Sequence, residues 1–124
     1  MDGFNLRTDA AAPGGRPTRP ALAVHGGAGL ADPAIRDAQR AGAGAALAAG
    51  WQVLHAGGSA LDAVCVAVRI LEDCPVFNAG TGSCLTADGR VEMDASVAEG
   101  TTLRAGAVAL VTRTRHPVAI ARGL

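Results

Sequence analysis

At 124 residues the chain has the length of one ordinary domain, enough for a single core and too short for two. Eleven arginines, with no lysine among them, balance eleven acidic residues, so no single-signed field is available to hold nucleic acid or a membrane surface. No apolar run of about 18 residues could span a bilayer, and the amino terminus lacks the basic start and hydrophobic middle of a secretory signal, so a soluble, cytoplasmic protein is expected.

Residues 1–19 mix Pro, Gly, Ala and charge without periodicity and read as a flexible leader ahead of one domain over residues 20–124. The apolar run "ALAVHGGAG" then reads as a buried strand entering a glycine turn. Asp32-Pro33 supplies a helix start, because a carboxylate can accept from free amides and proline suits the first helical position. That helix extends to about Leu54. Ser59 followed by Asp62 has the form of a capping box and opens a second helix. On it Leu61, Val64, Cys65, Val68 and Leu71 recur at helical spacing, with Arg69, Glu72 and Asp73 toward the polar side, and Pro75 stops it.

"SCLTADGRVEMDAS" places an Asp88-Gly89 turn between alternating segments, a hairpin signal. Residues 105–114, "AGAVALVTRT", read as a strand in a sheet buried on both faces, and Pro117 as the first turn of a further helix. Apolar residues make up 49% of the chain but Phe4, Trp51 and Phe77 are the only aromatic ones, so Ala, Val, Leu and Ile must form the core. Two consecutive helices followed by strands indicate a layered α+β arrangement.

Cysteines 65, 74 and 84 fit neither a disulfide framework nor a zinc site, and His25, His55 and His116 are too scattered for a transition metal. His25-Gly26-Gly27 after a strand resembles an esterase oxyanion loop, but the GxSxG elbow that such enzymes need is missing and a tight turn is the plainer reading. The glycines also fail the dinucleotide and Walker patterns. Glu92 and Asp94 alternate onto one strand face, where an ion pair with Arg90 or Arg104 is a simpler role than acid–base work. Asn78, between a proline-ended helix and two glycines, can donate and accept at a fixed place, or can simply hold its own turn.

The segments "AVHGGAG", "GGSALDAVCVAVRILEDCPVFNAGTGSCLTADGRVEMDAS" and "LRAGAVALVTRTRHPVAIAR", in that order and spacing, closely resemble the amino-terminal part of the plant-type L-asparaginase and isoaspartyl dipeptidase family of N-terminal nucleophile hydrolases. The resemblance covers about Leu22 to Arg122. It implies an αββα sandwich, of which this chain is one part, made as a precursor that cuts itself ahead of a threonine. That threonine attacks the side-chain amide of asparagine or a β-aspartyl peptide bond, with its own amino group as base. The resemblance also implies that main-chain oxygens of Leu71, Glu72, Cys74, Phe77, Ala79 and Thr81 wrap a structural sodium ion. It places Asn78 close to the nucleophile and His25, Gly26 and Gly27 near the self-cleavage site. No other cofactor is implied.

The family's Gly-Thr-Val-Gly nucleophile segment would lie past Leu124. The resemblance therefore implies no catalytic residue in this chain, a truncated α-subunit region inactive by itself, and as partners a missing β subunit and a second heterodimer. Two other readings stand beside it: a non-catalytic remnant acting as scaffold for a separate β subunit, and a metal-stabilised binding module.

Overall fold

The computed structural model describes residues 19–29 and 32–124, so the expected leader, Arg19 apart, lies outside the described residues. In chain order the elements are α1 (Arg36–His55), α2 (Ala60–Asp73), a single 3-10 turn (Gly80–Gly82), β1 (Met93–Glu99), β2 (Arg104–Val111) and α3 (Pro117–Gly123). This is a mixed α+β arrangement with one two-stranded antiparallel sheet. Among the described residues no helix is long and apolar enough to cross a membrane.

Asp32 caps the turn ahead of α1: its Oδ1 accepts from the Ala34 amide at 2.8 Å and its carbonyl from Ile35 at 3.1 Å. Regular helix begins only at Arg36, three residues later than Pro33 suggests. Gly42, Ala46 and Gly50 recur every four residues and so share one face of α1. Ala46 and Gly50 are buried. That face lies against α2 and the loop after it, close enough that a Cβ on Gly50 would stand 2.9 Å from the Ala63 carbonyl oxygen.

Residues 20–27 carry no regular secondary structure, with Leu22 and Val24 half-buried, and form no ladder with any described residue. The expected strand is therefore a strip laid over α1, where Leu22 covers Gly50. A short apolar run reports burial, which packing on a helix face satisfies as well as a sheet does.

α2 begins where its cap predicts. Ser59 Oγ accepts from the Asp62 amide at 3.0 Å and donates to Asp62 Oδ2 at 2.6 Å. Asp62 also pairs with Arg122 of α3. The helix ends at Asp73, and Cys74 is extended (φ −92°, ψ 117°) as a residue before proline must be. Its buried face differs from the expected stripe: Ala63, Cys65, Ala67 and Glu72 are buried, while Val64 is exposed. Small residues win because α1 comes so near. Burial pushes the Cys65 thiol's pKa up, as for an inert core cysteine.

The core reflects this closeness. Its buried apolar members are Ala46, Ala63, Cys65, Ala67, Phe77, Met93, Val118 and Ala121, whereas Leu47, Trp51, Leu85, Leu103, Leu110 and Leu124 are exposed. Leucine and isoleucine were expected inside and are not among these buried residues.

The Asp88-Gly89 turn forms, with Gly89 at φ +73° and the Thr86 amide donating to the Arg90 carbonyl at 2.8 Å. The hairpin it was expected to close is only the bridge Leu85–Val91. The true hairpin joins β1 to β2 in the register Glu99–Arg104 through Ala95–Val108, with a bulge between Met93 and Ala95. At that bulge Asp94 Oδ1 accepts from the Leu110 amide at 2.9 Å. Neither Glu92 nor Asp94 forms an ion pair among the described residues, so the bulge takes Asp94 from the expected arginine contact. β2 is also not buried on both faces: it alternates between half-buried and exposed, with α3 on one side only. Pro117 sits in the first turn of α3, as expected.

The Ser59 hydroxyl, and then Arg122, hold the Asp62 pKa below the usual carboxylate range. The folded pKa is the lower one, so this contribution is present above the ordinary aspartate value of about 3.9 and is lost as pH falls through the folded value. Asp62→Asn is expected to be less stable than the parent at pH 7 and indistinguishable from it well below about pH 3.9, as urea midpoints at the two extremes would register. An equal deficit at both would contradict it.

Candidate functional site

The loop after α2, residues 74–83, is shaped by main-chain crowding. The carbonyls of Leu71, Cys74, Phe77 and Ala79 each accept one loop amide, from Cys74, Phe77, Ala79 and Gly82 respectively, at 2.8–3.3 Å. Each keeps a second lone pair. The Glu72 and Thr81 carbonyls accept none of the main-chain bonds that lie outside the regular elements. Gly80, at φ +52°, lies against the Glu72 carbonyl, and Gly82 against the Phe77 carbonyl, so tightly that a Cβ on either would overlap the oxygen. Gly80 and Gly82 thus seat the Glu72 and Phe77 carbonyls, and neutral main-chain oxygens of this kind suit a hard monovalent cation better than a soft or highly charged one.

The Phe77 ring is buried and wedged between distant segments. A Cβ on Gly26 would stand 2.6 Å from Cε1, and one on Gly42 would stand 2.7 Å from Cε2 and 3.1 Å from Cys74 Sγ. One aromatic ring thus fixes the HGG segment, α1 and the loop relative to one another. Gly42→Ala would ordinarily favour a helix by about 1 kcal/mol. Against the ring it is expected to destabilise instead, by about 1–2 kcal/mol, and in a Phe77→Leu background to regain the ordinary sign. A double-mutant cycle by urea unfolding checks this. A stabilising Gly42→Ala in the parent chain would contradict it.

Around that wedge opens a groove of about 930 Å³, and His25, Gly26, Gly27 and Asn78 all line it, together with Leu71, Phe77 and Ala79. Four sequence-predicted residues from two segments about fifty positions apart are therefore brought together. Glu72, Cys74 and Thr81 lie outside the groove lining. The Asn78 side chain is exposed, and its Oδ1 accepts from the Cys84 amide at 2.8 Å. Asn78 also borders a smaller cavity of about 280 Å³, whose walls include Ser83, Glu92, Asp94 and Ser96.

Three contributors escaped the sequence reading. Gln39 and Cys84 line the groove; Gln39 lies four residues from both Ile35 and Ala43, so one helix face delivers all three. The third is the Glu72 side chain, assigned to the polar face but only 2% exposed. Its Oε1 accepts from the Val118 amide at 3.1 Å, and its Oε2 meets His116 Nδ1 at 3.2 Å. Burial raises the Glu72 pKa, opposed by the Val118 amide and then His116. No local signal marks this contact, because its partners are 44 and 46 residues away.

The family model described as asparaginase matches residues 18–124. The chain belongs to the asparaginase family. It is 51% identical over 107 residues to a plant-type L-asparaginase from Pyrococcus abyssi, covering 82% of this chain and 33% of that protein. It is 50% identical over 106 residues to an isoaspartyl peptidase from Salmonella typhimurium, covering 82% and 34%. An isoaspartyl peptidase/L-asparaginase from Danio rerio is 47% identical over 103 residues, covering 83% and 33%. The family is thus the plant-type L-asparaginase and isoaspartyl peptidase family that the three motif segments resemble. The chain spans about a third of the length of these curated relatives.

Proposed function

We propose that this chain is the amino-terminal scaffold of an L-asparaginase or isoaspartyl dipeptidase, hydrolysing the side-chain amide of asparagine or a β-aspartyl peptide bond. The convergence of His25, Gly26, Gly27 and Asn78 on one groove carries the reading, in a chain half identical to relatives bearing those names. The nucleophile is a threonine in polypeptide beyond this chain, its hydroxyl activated by its own amino group, and the acyl-enzyme is then hydrolysed. The β subunit bearing it, paired with a second heterodimer, completes an αββα sandwich around residues 20–124. The exposed Leu47, Trp51 and Leu110 are the kind of apolar surface such an assembly would cover.

The main-chain oxygens of Leu71, Glu72, Cys74, Phe77, Ala79 and Thr81 would hold sodium, and the ion when bound would brace the loop that carries Asn78. Its lone pairs and the crowding at Gly80 and Gly82 support this assignment.

The test is complementation. Supplied with the carboxyl-terminal part of the Pyrococcus abyssi relative that this chain does not match, the chain is expected to yield β-aspartyl dipeptide hydrolysis that neither piece gives alone. A stable complex with no hydrolysis would favour the scaffold-only reading and contradict this one.

A further inference from the structure

We infer that Gln39, on α1, is a specificity-determining residue of the groove, donating from Nε2 to the carboxylate of the amino acid that leaves when a β-aspartyl dipeptide is cleaved, a role that rests on the proposed hydrolase. The groove is large for asparagine alone. Its volume of about 930 Å³ lies in the range that holds drug-sized ligands, whereas the leaving group of asparagine is only ammonia. Three walls line it: the loop after α2, the segment His25–Gly29, and one face at the start of α1. The Phe77 ring keeps the last two apart, since Gly26 meets it at Cε1 and Gly42 at Cε2, on opposite edges. With the aspartyl part held at the His25-Gly26-Gly27 wall, a residue attached beyond it extends toward α1.

The α1 wall offers one polar side chain. The Gln39 main-chain amide donates to the Ile35 carbonyl at 2.9 Å, and this helical turn, continued to Ala43, stacks the three residues on one face. Ile35 and Ala43 are apolar, so Gln39 alone can meet a polar group there. Its side chain is half-buried and forms no hydrogen bond with any described residue. A half-buried amide without a protein partner is a group that a ligand can satisfy. No acidic side chain lines the groove, so a carboxylate meets no like charge there and an ammonium or guanidinium group finds no countercharge. The leaving residue that fits is therefore one with an apolar side chain for Ile35 and Ala43 and a free carboxylate for Gln39.

In the complemented protein, Gln39→Ala should lower kcat/KM for β-aspartyl-leucine about tenfold more than for L-asparagine, because the two substrates share the aspartyl part and differ only in what leaves. Helix propensity favours that substitution, so α1 is expected to stay intact. Gln39→Glu sets a negative charge against the leaving carboxylate. It should penalise β-aspartyl-leucine at least about tenfold more than β-aspartyl-leucinamide, which lacks that charge, and this comparison stands even where L-asparagine is not turned over. Equal or absent losses in either comparison would overturn the role of Gln39 and leave the proposed hydrolase standing. So would a parent complement that hydrolyses L-asparagine but not the dipeptide. A parent complement that hydrolyses neither would sink the proposed hydrolase, and the role of Gln39 with it.

Discussion

Gly80→Ala is expected to destabilise the chain by about 3 kcal/mol or more, the largest loss of any single methyl addition in the loop. Two independent costs meet at this position. Gly80 sits at φ +52°, a left-handed conformation that residues with a Cβ resist. The added methyl would overlap the Glu72 carbonyl and stand 2.7 Å from the Arg115 carbonyl, neither of which can rotate away as a side chain could. Those two oxygens belong to the end of α2 and the approach to α3, so relief would require parting the loop from both. Urea unfolding of dilute parent and variant measures the cost. A loss below about 1 kcal/mol would mean that the loop is far softer than its crowding implies.

Glu72→Ala is the second large effect, expected at about 3 kcal/mol, because truncation leaves the Val118 amide without its buried acceptor and His116 without its main partner. Glu72→Gln keeps an oxygen for Val118 and should cost only about 1 kcal/mol. The comparison is informative because Glu72 joins the carboxyl end of α2 to the first turn of α3. Hydrogen exchange at Val118 should accelerate in Glu72→Ala and remain near parental in Glu72→Gln. Equal stability of the alanine variant and the parent would remove Glu72 from the core.

Local chemistry was legible and long-range choice was not. Ser59 with Asp62, Pro75, Asp88-Gly89 and Pro117 each constrain their immediate neighbours, and the structure places a cap, a stop, a turn and a helix start at those residues. The groove was legible only through the resemblance of its motifs, since nothing in His25-Gly26-Gly27 alone foretells the Phe77 ring beside it. What failed depended on which partner a segment finds. Residues 20–27 have the apolar run of a strand, but Leu22 lies on α1, and Met93 onward leaves the Asp88-Gly89 turn to pair with β2. The same holds for Glu72, polar by type and buried by circumstance. Helix stripes were misjudged for a related reason: with Gly42 and Gly50 drawing the elements together, alanine fills positions where leucine would not fit.

Ammonia release from L-asparagine by the purified 124-residue chain, assayed alone and after addition of the unmatched carboxyl-terminal part of the Pyrococcus abyssi relative, separates a scaffold from a complete catalyst. The expected result is no release above background by the chain alone, with or without sodium, and clear release once the second polypeptide is present. Turnover by the chain alone would contradict a reactive threonine located outside it.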